Sequence, residues 1–288
     1  MIQDIEPKKL INAYDPGAAP DDNSIILFIR DGSAAVTCAA DPDGTEEILA
    51  LPRYAACRSD ADYIYLFSVD EDRYFLAPWN EDPPDSCRFV SIRSLRRSGF
   101  GPRSSIFAVF TALQLANWYH DNTFCGTCGT RTVRDSAERA VRCPSCGRVI
   151  YPRIIPAVIV GVLDGDRILL TKYERSRGVS YYALVAGFTE IGETFEQTVE
   201  REVMEEVGLR VKNIRYYKSQ PWGIADDILA GFYCDVDGST EIHLDRTELR
   251  EGVWVRRGEV IGQPDDFSLT NEMMMRFNSG LENTPVLR

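Results

Sequence analysis

The sequence predicts an α+β protein: a mainly antiparallel β N-terminal domain, a short four-cysteine segment, and a last domain of strands around an acidic helix. Three observations predict it. Short apolar stretches of strand length alternate with turn residues up to about residue 103, two Cys-x2-Cys pairs follow, and strand-like runs beyond them bracket one strongly patterned acidic helix. The boundaries expected are 1–103 for the β domain, 104–120 for a connecting helix, 121–152 for the cysteine segment and 153–288 for the last domain.

The chain has 288 residues, enough for two or three domains with a real core, and its 44% hydrophobic and 26% charged content is ordinary for a globular protein. No apolar run reaches membrane-spanning length and no basic leader opens the chain, so a cytoplasmic protein without a membrane partner is expected. A net charge of −12 argues against a protein that coats nucleic acid, because such binding neutralises phosphates with Lys and Arg. A phosphate substrate would have to be met locally, by cations held on acidic side chains. Only His120 and His243 are present, which weakens any histidine triad or histidine metal cage. His120 is read as a helix-end polar contact, with a place beside a zinc site as the alternative.

In the first domain, SIILFIR at 24–30, YIYLFSV at 63–69, RYFLAPW at 73–79 and RFVSIRSL at 88–95 are separated by Asp-Gly, Asp-Pro-Asp-Gly and Glu-Asp-Pro-Pro. Strand-length apolar runs between such breakers read as antiparallel pairs. No catalytic constellation occurs there, so the expected role is packing against the catalytic domain or a second subunit. From Ser104 to Tyr119, Ile106, Val109, Phe110, Leu113 and Ala116 fall on one helical face and predict the connecting helix.

Next come Cys125-x2-Cys128 and Cys143-x2-Cys146, each second cysteine followed by glycine. Four thiolates at this spacing suit tetrahedral Zn²⁺, and a closed four-sulfur shell leaves no open position, so the ion would be structural. Two disulfides or a redox pair are the competing readings. Disulfides are disfavoured in a chain without an export signal, and paired motifs of this kind differ from a lone redox Cys-x2-Cys. Cys38, Cys57, Cys87 and Cys234 are scattered and read as buried free thiols.

Beyond residue 153, AVIVGVLDGDRILLTKYE predicts a hairpin turning at Asp164-Gly165, and YYALVAGF a third strand. RYYKSQPW, ILAGFYCDV and EGVWVRRGE read as further strands, and a last helix is expected at 268–278. Between them lies GFTEIGETFEQTVEREVMEEVGL, residues 187–209. Thr194 can cap a helix with Gln197 completing a capping box, Gly192 allows a tight turn before it, and Gly208 can end it in the left-handed conformation. Phe195, Val199, Val203 and Val207 recur every fourth residue as a buried stripe, while Glu202, Glu205 and Glu206 stand at i, i+3 and i+4 on another face. Like charges at that spacing cost only about 0.2–0.5 kcal/mol per pair on an exposed helix, so a solvated acidic face is the plain alternative. In a cleft the repulsion is several-fold larger and a hard divalent cation removes it; the fixed glycine before the helix and the arginine beside the acids favour the cleft.

The pattern G-x5-E-x7-R-E-U-x-E-E-x-G-U, with U aliphatic, resembles the complete box of the Nudix hydrolases. The resemblance implies an α/β/α sandwich with a mixed sheet over residues 153–288, and hydrolysis of a nucleoside diphosphate linked to another group, with Mg²⁺ or Mn²⁺ on Glu202, Glu205 and Glu206. It makes Arg201 the residue that orients a neighbouring glutamate and Glu193 a water-linked or supporting acid. No position of the box departs from the pattern.

With FCGTCG, CPSCGRVIYPR, LVAGFTEIGE and SQPW at 219–222, the chain resembles the NADH pyrophosphatase, or NAD(+) diphosphatase, branch from about residue 60 to its end. That resemblance implies hydrolysis of NADH or NAD⁺ to NMN(H) and AMP, action on NAD-capped RNA, and a homodimer. It makes Glu251 a further metal-binding or water-activating carboxylate, against a plain surface charge. Phe188 and Tyr151 would sandwich the nicotinamide, against core positions, and Ala186, Gly187, Gln220 and Trp222 would line the substrate. The branch continues as Pro-Phe-Pro after the tag, whereas Gly223-Ile224-Ala225 stands here, which leaves substrate identity open. Alternatives are a Nudix hydrolase of ADP-ribose, a diadenosine polyphosphate or an RNA 5′ end, and a non-catalytic nucleotide sensor; retention of every acid in the box argues against the last.

Overall fold

The computed structural model describes residues 1–40, 47–96, 101–174 and 181–284. The chain divides into two compact units, one made of Ile2–Ile154 with Trp222–Asp226, the other of Met1, Ile155–Pro221 and Asp227–Arg288. The segments expected as β domain, connecting helix and cysteine segment therefore cluster in one unit.

In that first unit, one four-stranded sheet runs in the order Leu10–Ile11, Ile64–Val69, Asp72–Leu76, Ile25–Leu27. Its last pairing is parallel, with Ile25 opposite Tyr74, against the antiparallel pattern of the rest. A second sheet holds Ile29–Arg30, Ser33–Ala40, Glu47–Ala50 and Cys87–Ser91, all antiparallel. The apolar run at 24–30 is thus two strands, because the chain changes sheets at Phe28. The run at 88–95 also divides: its strand stops at Ser91 and Ile92–Leu95 form a helical turn whose Ile92 and Leu95 are buried. Ser33–Ala40, SAAVTCAA, was not foreseen as a strand, since alanine carries little β-propensity and pairing on both edges decides it. The expected Asp-Pro-Asp-Gly turn lies outside the described residues.

The helix α1, Arg103–Asp121, buries Ile106, Val109, Phe110, Leu113 and Ala116 as the periodicity requires. The ribbon after it has three two-residue strands in the order Val149–Ile150, Val141–Arg142, Val133–Arg134.

The second unit is a six-stranded mixed sheet between two helices. Its strands are β1 Ile155–Asp164, β2 Arg167–Tyr173, β3 Val185–Phe188, β4 Val211–Trp222, β5 Asp227–Val236 and β6 Leu249–Arg256, in the order β4-β5-β1-β2-β6 with β3 also on β1. β1 runs parallel to β5 and antiparallel to β2 and β3. Asp164 pairs with Arg167, so the hairpin turns on Gly165-Asp166, with Gly165 at positive φ. Strand alternation builds two cores: Val158, Val160 and Val162 face α2, Phe195–Val207, through Val199, Val203 and Val207. Ile159 and Leu163 face α3, Leu269–Asn278, through Leu269, Met273 and Phe277. Gly161 belongs to that second face, where a Cβ would meet the Tyr233 ring at 2.7 Å.

Candidate active site

Helix α2 is assembled as its sequence requires. The Thr194 hydroxyl accepts from Gln197 N at 3.3 Å and the Gln197 side chain accepts from Thr194 N at 2.8 Å, a complete capping box. Gly208 ends the helix at φ 68°. One expected member of the buried stripe does not belong to it: Phe195 is half-exposed, its ring tilted at 45° to that of Phe232 with 6.0 Å between centroids. Residues four apart advance about 40° beyond a full turn, so the first member of a four-residue series rotates away from the face its last member buries.

Arg201 organises the acids. It donates to Glu193 through Nε at 2.6 Å and Nη2 at 2.9 Å, to Glu202 at 2.7 Å, to Glu205 at 3.0 Å and to the Phe188 carbonyl at 2.9 Å. That last bond ties the helix to the end of β3. The Arg201 guanidinium, with the Glu190 amide and the Thr198 hydroxyl, holds the Glu193 carboxyl down to about 2. Glu202 goes the other way: burial raises its pKa against the pull of Arg201. Its side chain is 13% exposed while that of Glu205 is 59% exposed. Glu206 is buried, so the three helix glutamates do not present themselves equally. Gly187 makes the cradle for Glu202, since a Cβ there would lie 1.9 Å from the carboxyl carbon.

Three carboxylates on one guanidinium leave an excess of negative charge on hard oxygen donors, one of them poorly solvated. That donor set fits a divalent cation.

Glu251 lies within β6 opposite Lys172 of β2. Lys172 Nζ donates to Glu251 at 3.0 Å and the Tyr182 hydroxyl donates to its other oxygen at 2.5 Å. Lys172 Nζ also sits 3.8 Å from the centre of the Tyr182 ring. Tyr182 and Lys172 together hold the Glu251 carboxyl below its ordinary range, and Glu251 in turn raises both of theirs. Sequence reading missed Lys172 and Tyr182, since strand register brings the first to Glu251 and the Thr171–Ala183 bridge places the second beside it.

The residues expected around a substrate divide. Ala186 and Gly187 are partly covered on β3, and Phe188 at its end is 50% exposed. Gln220 is instead fully buried, its amide nitrogen donating to the Phe267 carbonyl and its oxygen accepting from Leu269 N, both at 2.7 Å. Its polar atoms serve the start of α3, which corrects the expectation that they face a substrate. Tyr151 and Trp222 fall in the first unit. The Tyr151 ring is 56% exposed and its hydroxyl donates to Glu138 at 2.8 Å. Trp222 meets Phe110 edge-on at 5.6 Å and lies under the Arg96 guanidinium at 5.0 Å. The departure at Gly223 has a steric cause: a Cβ there would stand 2.1 Å from the Phe110 carbonyl oxygen of α1.

The four ribbon sulfurs lie within 4.8 Å of one another, with Cys125–Cys146 at 3.6 Å and Cys128–Cys143 at 3.4 Å. A tetrahedron with Zn–S arms of about 2.3 Å has edges near 3.8 Å, so the cluster has the size of a zinc site, and its sulfurs are far too distant for disulfides of about 2.05 Å. The Thr127 and Cys128 amides lower the Cys125 pKa, and the Thr130 hydroxyl and amide bring Cys128 to about 6. The Arg148 amide pulls Cys146 down, but the neighbouring sulfurs outweigh it and push the thiol up to about 11. Four thiols this close do not all ionise without a cation among them. His120 is no member of the cluster; its ring stacks on Trp79 at 3.8 Å and 19°.

Comparison with known proteins agrees with this geometry. The NUDIX domain family matches residues 153–276 and the NADH pyrophosphatase zinc ribbon domain matches residues 120–151. A protein of Actinobacillus succinogenes named NAD-capped RNA hydrolase NudC is 39% identical over 219 residues, 74% of this chain and 78% of that protein. Proteins of the same name from Pectobacterium atrosepticum and from Haemophilus influenzae strain PittEE are 44% identical over 144 residues and 38% over 176. The aligned part spans 55% and 65% of those two proteins, and 50% and 60% of this chain. The chain therefore belongs to the Nudix hydrolases, in the NudC branch that carries the NADH pyrophosphatase zinc ribbon.

Proposed function

We propose that the protein hydrolyses the pyrophosphate bond of NADH or NAD⁺ to NMN(H) and AMP, and acts likewise on NAD-capped RNA 5′ ends. The observation that carries this reading is the single guanidinium of Arg201, which holds Glu193, Glu202 and Glu205 beside the end of β3, where Phe188 offers an exposed ring.

Glu202, Glu205, Glu206 and Glu251 would hold Mg²⁺ or Mn²⁺. Bound there, the ions supply Lewis acidity to the diphosphate and lower the pKa of an attacking water. The chain's own residues prepare that chemistry. Arg201 fixes the rotamers of Glu202 and Glu205 and keeps Glu193 ionised. Lys172 and Tyr182 keep Glu251 ionised and aimed. Glu205, the most exposed of the three helix acids, is the group best placed to take a proton from water. Phe188 suits the flat nicotinamide by stacking. The same reading extends to a cytoplasmic homodimer; among the described residues no helix is long and apolar enough to cross a membrane.

The test is a panel of NADH, NAD⁺, ADP-ribose, a diadenosine polyphosphate and NAD-capped RNA, each with and without Mg²⁺ or Mn²⁺. Preference for NAD(H) or the capped RNA is expected. Preference for ADP-ribose or the polyphosphate would replace the substrate assignment. Sedimentation of the same preparation tests the dimer.

A further inference from the structure

The first unit encloses a cavity of about 630 Å³ that takes no part in the site just described. Its volume lies within the range of small-ligand pockets, about 300–1,000 Å³. Its walls come from the N-terminal sheet, the end of α1 and the ribbon, and its floor includes the buried Ala77 and Ala116. Three features set it apart from a plain packing defect.

The first is a flat aromatic surface: Trp79 and His120, both lining the cavity, are stacked on one another. The second is charge. Arg131, Arg134 and Asp62 line the space, so two guanidinia stand against one carboxylate in a chain of net charge −12. Arg134 takes Asp62 through both carboxylate oxygens at 2.6 and 2.7 Å. Arg131 has no ion-pair partner among the described residues, and its guanidinium lies 5.9 Å from the centre of the Phe124 ring. The third is an unmet donor behind the wall: Tyr119 is a lining residue, and its hydroxyl is buried with no hydrogen-bond partner among the described residues. Nη1 of the neighbouring Arg139 is buried in the same condition, while its Nη2 donates to the neutral Asn12 and Leu66 oxygens.

We propose that this cavity binds a nucleoside phosphate, its base against the Trp79–His120 surface and its phosphate met by Arg131. Stacking selects a flat heterocycle without reading its identity, and a free guanidinium selects the anion. The ligand is either a free nucleotide or one unit of an RNA chain; both present the same chemistry. The inference does not depend on which dinucleotide the hydrolytic site cleaves.

The test is calorimetric titration of the zinc-loaded full chain, without added Mg²⁺ or Mn²⁺, using AMP and separately a 5′-phosphorylated oligoribonucleotide. Saturable binding is expected, weakened about tenfold or more by Arg131→Glu and severalfold by Trp79→Leu. NADH hydrolysis should be unchanged in both variants. Equal affinity for AMP and the oligonucleotide identifies a free nucleotide. Affinity about tenfold higher for the oligonucleotide, lost in Arg131→Glu, identifies an RNA unit. Absence of saturable binding by either probe at millimolar concentration overturns the proposal. So does binding that is the same in Arg131→Glu and in Trp79→Leu as in the parent chain.

Discussion

Gly187 and Glu202 stand so close that a methyl group on the glycine would lie 1.9 Å from the carboxyl carbon. The glycine is there for the glutamate's sake: β3 must pass flush against the helix for that carboxylate to be both partly buried and held by Arg201. Gly187→Ala should expel Glu202 from its cradle and lower Mg²⁺-dependent hydrolysis by about 100-fold or more, with the circular dichroism spectrum retained. An alanine variant of normal activity would show that the position of Glu202 is immaterial.

Arg201→Met tests the guanidinium as organiser. Activity should fall at least about 100-fold, through loss of the aligned acids rather than of substrate contact, and the loss should appear in kcat. The pH dependence has a definite sign. The Glu193 pKa falls on folding from 4.5 to about 2, so its interaction with Arg201 stabilises the fold above 4.5 and is lost as pH drops toward 2. Urea melts should therefore show parent and variant furthest apart above pH 4.5 and converging near pH 2.

Tyr182→Phe removes a hydroxyl that donates to Glu251 at 2.5 Å while leaving the ring beside Lys172. A fall in kcat of about three- to tenfold is expected, with Mn²⁺ affinity reduced in a spin-resonance titration. Glu251→Gln should be more severe. Unaltered kcat and Mn²⁺ affinity in both variants would leave Glu251 as a plain ion-pair partner of Lys172.

Gln220→Met keeps volume but strips the bonds to the Phe267 carbonyl and the Leu269 amide. Two buried main-chain groups lose partners, so a loss of about 2–4 kcal/mol in unfolding free energy is expected. KM for NADH should stay the same; a rise in KM without loss of stability would return Gln220 to the substrate.

Cys125→Ser should lower bound zinc from about one ion per chain, measured by mass spectrometry, and lower the melting temperature as well. Zinc content unchanged in that variant would mean the four sulfurs do not share an ion.

Much of the catalytic helix was legible because its information is local. Thr194, Gln197 and Gly208 specify its ends through bonds within a few residues, and the structure forms those bonds. The same holds for the cysteine pairs, whose spacing sets the sulfur cluster whatever surrounds it. Phe195 failed because a strict four-residue repeat drifts around a helix. The 24–30 run failed because a switch between sheets leaves no mark in an apolar stretch.

What the sequence determined by itself is the chemistry that spacing can encode: the acids with their arginine on one helix, the caps that hold that helix, and the four sulfurs. Only the tertiary structure decided what sequence-distant residues meet. Register puts Lys172 opposite Glu251 and the Thr171–Ala183 bridge puts Tyr182 beside it, burial turns Gln220 to the start of α3, and close approach to Phe110 admits nothing larger than glycine at 223. The reason is physical: short-range hydrogen bonds and helical periodicity are written in neighbouring residues, whereas pairing register and steric exclusion exist only once separate segments pack.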